Sequence, residues 1–208
     1  MRIESLATAP DRAGRYRVTL SDGSVLRLYR QTVEDFGLYA GMELSDPERQ
    51  RLDQAVGEMS AKMRAVRIVS ASSVSCGDLE QRLVHKGESP EQAKAAVEWM
   101  QSLSLVDDRK TAGQIVSRCI GKGYGPARAR QALYEKRIPK ELWEEALADY
   151  PDQTEKIMEF LESRLGEHPE DRDVKRAIDA LLRRGHSYSS IRQALARLSV
   201  DSEEYPEE

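Results

Sequence analysis

Two cysteines, two phenylalanines and no long apolar run leave several classes of protein out for this 208-residue chain. Cys76 and Cys119 lie far from each other and from His85, His168 and His186, so they form neither a disulfide framework nor the close ligand pairs of a structural zinc site. They read as small apolar fillers at helix ends. The N-terminus lacks an apolar run of signal-peptide length, and nothing reaches the roughly 18 apolar residues of a membrane-spanning helix, so a cytoplasmic protein without membrane attachment is expected. Catalytic patterns are missing too: there is no HExxH pair, no GxSxG elbow and no Cys-His arrangement. Gly121-Lys122-Gly123-Tyr124-Gly125-Pro126 lacks the Gly-Lys-Ser/Thr ending of a phosphate loop and reads as a flexible connection between helices. The adjacent carboxylates Asp107-Asp108 read as cap and dipole partners of a helix starting at Arg109, not as a metal pair. No catalytic residue, metal site or cofactor is expected, and the chain is not read as an enzyme.

What is present is a repeat. Leu83-Val84-His85-Lys86-Gly87 aligns with Leu133-Tyr134-Glu135-Lys136-Arg137 and with Leu181-Leu182-Arg183-Arg184-Gly185, and the agreement continues into Ala96-Val97, Ala146-Leu147 and Ala194-Leu195. The copies recur every 48 to 50 residues. Apolar residues fall four before and nine and ten after the Gly/Arg/Gly position, which is helical spacing on either side of a tight turn. With 33% charged and 6% aromatic residues, the chain suits thin helical layers better than one thick core. A unit this small cannot bury its apolar stripe alone, so the fold expected is mainly α: tandem three-helix repeats in an elongated curved solenoid.

The formal net charge of −4 conceals blocks. From Asp108 to Glu141, nine basic residues against three acidic give +6; from Arg172 to Arg197, seven against two give +5. Between them, Leu142 to Asp171 carries −8, and Asp201 to Glu208 adds −5. Exposed charges are screened over about 8 Å at physiological salt, so a partner touching one face feels the local block and not the average.

The first 44 residues differ from the rest. Arg15–Leu20 and Val25–Tyr29 are β-rich runs joined by Ser21-Asp22-Gly23-Ser24, a hairpin signal. A two-residue turn would place Leu20 opposite Val25 and Tyr16 opposite Tyr29, and residues 3–6 would add a third strand because a lone hairpin is marginal. Thr32 reads as the cap of a one-turn helix stopping at Gly37. Ser45-Asp46-Pro47-Glu48 is a capping box with proline in the first turn and opens a helix to about Val69. Ser75-Cys76-Gly77-Asp78 and Ser89-Pro90-Glu91-Gln92 are further starts. Leading helices near residues 109–121 and 154–165 complete the second and third units. The divisions expected are a β-hairpin-containing head (1–44), three-helix repeats at 45–107, 108–150 and 151–199, and a disordered acidic tail at 200–208.

Ser75, Asp78-Leu79, Leu83, Lys86-Gly87, then Leu103, Leu105-Val106-Asp107-Asp108, then Gly123-Tyr124-Gly125-Pro126, Arg130, Leu133 and Lys136 together resemble the RecX family, bacterial regulators of the RecA recombinase. The resemblance runs from about Ser45 to Leu198, and the head, with Gly37-Leu38 and Gly41-Met42, is similar to a version carrying an N-terminal extension. It implies a DNA-repair and SOS-response protein. Such a protein lies in the groove of the RecA filament on single-stranded DNA, spans protomers, and suppresses filament extension, ATP hydrolysis, strand exchange and co-protease activity. Arg118, Lys122, Arg128, Arg130, Lys136 and Arg137 are the first candidates for the contacting face, and Arg176, Arg183, Arg184 and Arg192 the second. Arg128 and Arg130, two apart on a helix, point in different directions. Arg137 stands where the family has glycine, which predicts a tighter or differently closed turn. A monomer is expected, with at most weak direct DNA contact because the overall balance is acidic. Two other readings stay open: a helix-turn-helix repeat protein binding DNA directly, with steep salt dependence, and a helical adaptor for an unrelated protein.

Overall fold

In a computed structural model, residues 1–166 and 169–198 are described; His168 and the 200–208 tail lie outside them. The described residues hold a small three-stranded antiparallel sheet followed by helices. They fall into two compact units, the first Met1–Val74 with Asp78–Val106, the second Ser75–Gly77 with Asp107 onward.

In the first unit, β1 (Ile3–Leu6), β2 (Arg15–Leu20) and β3 (Val25–Tyr29) pair in sequence order. The hairpin register is one residue away from the expected one: Thr19 faces Val25, Val18 faces Leu26 and Tyr16 faces Leu28. The turn has three residues, closed by Leu20 N–H to the Ser24 carbonyl at 2.9 Å, and only Gly23 adopts positive φ, at 81°. Asp22 stabilises it by accepting from the backbone and hydroxyl of Ser24. A two-residue type I′ turn needs positive φ at both Asp22 and Gly23, whereas a three-residue turn, a type I turn ending in a left-handed glycine, needs it at Gly23 alone. The shift puts Val18, Leu20 and Leu28 in the core together with Ile3, Leu38, Leu44 and Leu52.

Thr32 is not a cap. Helix α1 runs Arg30–Asp35 with Thr32 buried inside it, and Gly37 at φ 56° ends it. Helix α2 (Asp46–Ala71) begins at the Ser45–Glu48 capping box, and α3 (Cys76–His85) and α4 (Pro90–Ser102) follow, the latter capped by Ser89. At the repeat's apolar positions in this unit Leu83 is fully enclosed and Ala96 and Val97 are buried, whereas their counterparts Ala146 and Leu147 in the second unit are only partly buried.

The second unit holds α5 (Asp108–Gly121), α6 (Pro126–Glu135), a 3-10 turn (Lys140–Leu142), the short α7 (Trp143–Leu147), α8 (Thr154–Glu162), α9 (Asp171–Arg183) and α10 (Tyr188–Arg197). One core cluster gathers Val116, Ala129 and Leu133; another gathers Ile157, Leu161, Leu181, Ile191 and Leu195.

The same turn ends the second helix of every repeat. Glu88, Ile138 and His186 donate their backbone N–H to the carbonyls of Leu83, Leu133 and Leu181 at 3.2, 3.0 and 3.2 Å. This six-residue closure satisfies carbonyls that the helix end would leave open. Gly87 and Gly185 take positive φ there, and so does Arg137 at 53°. Arg137 therefore does not change how the turn closes, contrary to expectation; it occupies the left-handed position that favours glycine.

Candidate functional site

Five cationic and aromatic side chains in the second unit form a ladder. Lys122 Nζ lies 6.0 Å from the centre of the Tyr124 ring, the Arg184 guanidinium lies 5.9 Å from that ring and 4.6 Å from the Phe160 ring, and Arg164 lies 5.5 Å from Phe160. Contacts of this length are attractive because the ring face carries negative charge. Beside the ladder a groove of about 450 Å³ is lined by Phe160, Arg164, Asp173, Arg176, Ala177 and Arg183. Arg176 leans on Asp173 at 3.5 Å, both on α9.

The backbone that carries the ladder is tightly pinned. Gly125 N–H donates to the Arg184 carbonyl at 2.9 Å and Tyr150 OH donates to the Tyr124 carbonyl at 2.7 Å. The His186 imidazole Nε2 meets the Gly123 carbonyl at 3.0 Å, which calls for its N–H tautomer. A Cβ at Gly125 would overlap the Gly185 carbonyl, and one at Gly185 would overlap the Arg128 backbone nitrogen. The Gly121–Pro126 stretch is thus a packed junction and not the flexible connection expected from its glycines. Its partner lies 60 residues downstream in sequence.

Burial holds the His186 pKa below the ordinary 6.5, with the Gly123 carbonyl opposing and Arg184 adding to the shift. The folded state therefore binds this proton less readily than the unfolded chain. The stabilising contribution is complete above pH 6.5 and is lost as pH falls through the depressed folded value. The difference in melting temperature between wild type and His186→Gln should be constant above neutrality and shrink as pH falls below 6.5; a difference independent of pH would remove this role.

The expected candidates divide. Lys122 and Arg184 meet across Tyr124, and Arg176 and Arg183 line one groove. Arg128 is half-buried and pairs with Glu135 at 3.0 Å, while Arg130 is exposed, so they do point apart. Arg118 sits in the last turn of α5 and Arg192 on α10, both exposed. Lys136 and Arg137 serve the turn: the Lys136 carbonyl accepts from Ser75 Oγ, and Gly77 packs against Arg137. Phe160, Tyr124 and Arg164 were not among the expected candidates, Arg164 because it sits inside the acidic block. An aromatic close to a cation in each of two neighbouring repeats, Tyr124 with Lys122 and Phe160 with Arg164, was the available signal.

Asp107 and Asp108 are separated in role. Asp107 caps α5 by accepting from Lys110 N–H at 3.1 Å, whereas Asp108 Oδ1 accepts from Cys76 N–H at 2.8 Å. Burial, and next the charge of Asp108, push the Cys76 thiol up to about 12. Cys76 is thus an unreactive thiol at a helix start, in keeping with a structural cysteine.

This second unit contains the stretch that family comparison picks out. Residues 107–147 match the RecX profile for the second three-helix domain. A regulatory protein RecX from Xanthomonas axonopodis pv. citri (strain 306) is 33% identical over 140 residues, covering 66% of this chain and 86% of that protein. The chain belongs to the RecX family. A RecX from Vibrio parahaemolyticus is 26% identical over 141 residues, which cover 66% of this chain and 91% of the Vibrio protein. A crystal structure of regulatory protein RecX shares the fold with a TM-score of 0.69 at 22% identity, over 92% of this chain and 98% of the other. RecX from Lactobacillus salivarius gives 0.63, also at 22%, over 70% and 98%. The chain is thus a member of a family of regulatory proteins with a mostly helical fold, and no described helix is long and apolar enough to cross a membrane.

Proposed function

We propose that this protein is a non-enzymatic modulator, mainly an inhibitor, of the RecA recombinase. It acts as a monomer in the cytoplasm by lying in the groove of the RecA filament on single-stranded DNA. There it suppresses filament extension, ATP hydrolysis, strand exchange and co-protease activity. Membership of the RecX family carries this reading. The repeat adds physical support, since successive three-helix units can meet equivalent surfaces of a repetitive partner and gain effective concentration. The three repeats are taken with divisions at 107, 150 and 199, and the head before residue 45 shares its core with Leu52 and Val56 of α2 and is not a separate piece.

A second reading is favoured by one observation. The Lys122–Tyr124–Arg184–Phe160–Arg164 ladder alternates cations with rings, and sequence-tolerant single-strand binders combine such stacking surfaces with basic grooves. It would give the second unit a direct contact with DNA inside the filament. RecA-dependent ATP hydrolysis on single-stranded DNA, titrated with this protein, tests the main reading: the rate should fall at concentrations well below that of RecA. An unchanged rate at equimolar protein overturns it. Binding to the same DNA without RecA, steeply weakened by salt, would instead favour the direct contact.

A further inference from the structure

Eight large apolar residues are exposed among the described residues, and three of them occupy one repeat position: Val84 at 40% exposure, Tyr134 at 64% and Leu182 at 43%. Scattered apolar residues on a surface are ordinary. Their coincidence at a single register is not accounted for by chance exposure or by the core, because the neighbour before each of them, Leu83, Leu133 and Leu181, is fully buried and already supplies the packing.

The backbone makes the three positions equivalent. Each exposed residue accepts at its carbonyl from the N–H three residues on, at 2.9 Å from Gly87, 2.9 Å from Arg137 and 2.8 Å from Gly185. Each is therefore presented from the final turn of a helix by the same closing geometry. A cation follows two positions later in every copy, as Lys86, Lys136 and Arg184. At Val84 the surroundings include a hollow of about 450 Å³ bounded by Arg82, His85 and Lys86. The end of a helix carries negative partial charge, which by itself favours cations there; it gives no reason for the apolar side chain beside them.

We propose that Val84, Tyr134 and Leu182 are equivalent anchors for a protein partner built of identical subunits, each subunit offering an apolar hollow rimmed by carboxylates. The partner is a protein and not nucleic acid because valine and leucine have no ring face for a base to stack on, and a phosphodiester backbone offers no apolar hollow. It is repetitive because one local surface recurs three times in one chain. This deepens the reading above, on which it rests, by assigning the residues that grip the RecA subunits.

The test replaces each anchor by glutamine, singly and together: Val84→Gln, Tyr134→Gln and Leu182→Gln. Glutamine is a good helix former, and all three sites are exposed, so melting temperature and helical signal should be retained. Binding is read by co-sedimentation with RecA assembled on oligo-dT with a slowly hydrolysed ATP analogue. Each single change is expected to lower affinity about tenfold, the loss of one interface anchor, and the triple by on the order of 100-fold or more because the units act together. Wild-type binding with an equally tight folded triple variant, or with single variants all at wild-type affinity, overturns the anchors and leaves the RecA reading standing. Absence of wild-type binding overturns both. Affinity for oligo-dT alone, equal in wild type and triple variant, supports a protein-facing role; a parallel loss there overturns it.

Discussion

Replacing Gly125 by alanine should be among the most damaging single changes in this chain. The added Cβ would overlap the Gly185 carbonyl and stand 2.5 Å from the His186 nitrogen, and these are backbone atoms that cannot swing aside as a side chain can. Opening the junction would also strain the Gly125–Arg184 hydrogen bond and the His186–Gly123 contact. Overpacking against ordinary core costs about 1–3 kcal/mol, and the rigid neighbours here place the loss at the upper end or beyond. Gly113→Ala is the matched control: it lies within α5 with open space at its Cβ, and should stabilise by about 0.5–1 kcal/mol through helix propensity. Denaturant midpoints of the two variants moving in opposite directions would establish the junction. A Gly125→Ala protein as stable as wild type would show that the two segments separate at little cost.

That junction marks the limit of what the residues disclose before the fold is seen. The repeat is legible because its signals are local: a buried leucine, an exposed neighbour, then a turn residue three positions on, with Leu83, Leu133 and Leu181 all buried as their spacing demands. Helix starts at Ser45 and Ser89 are legible for the same reason, since a cap and its N3 partner lie within four residues. Gly125 gives no such signal. Its requirement for glycine is set by Gly185, and a run of glycines read locally suggests freedom where packing imposes the opposite. The hairpin shows a subtler failure: Asp-Gly fits both two- and three-residue turns, and only the core's demand for Val18, Leu20 and Leu28 on one face chooses between them. Charge counting found the basic blocks but paired them poorly. Arg128 is engaged with Glu135, and Arg164, from the acidic stretch, joins the aromatic ladder instead.

Deleting the head carries the other large expected effect. Its core does not stop at residue 44: Leu52 is fully buried against Ile3, Val18, Leu20, Leu28, Leu38 and Leu44, and Val56 packs on the same cluster. The segment before α2 is also tied to β1, by Gly41 N–H to the Ile3 carbonyl, Ile3 N–H to the Met42 carbonyl and Leu44 N–H to the Met1 carbonyl, at 2.8, 2.8 and 2.6 Å. A chain beginning at Gly41 loses five of the seven buried members of the cluster and leaves Leu52 and Val56 facing water on the first turns of α2. Full burial of one such side chain is worth about 1.5–3 kcal/mol, so the loss exceeds what the first unit can spare. The truncated protein should keep much of its helical signal yet associate with rising concentration and lose a cooperative transition. Leu20→Ala in the full chain should act in the same direction by about 2–5 kcal/mol, since Leu20 is fully enclosed. A monomeric truncated chain that unfolds cooperatively at the wild-type midpoint would mean that the sheet is an appendage, and that α2 is stable without it.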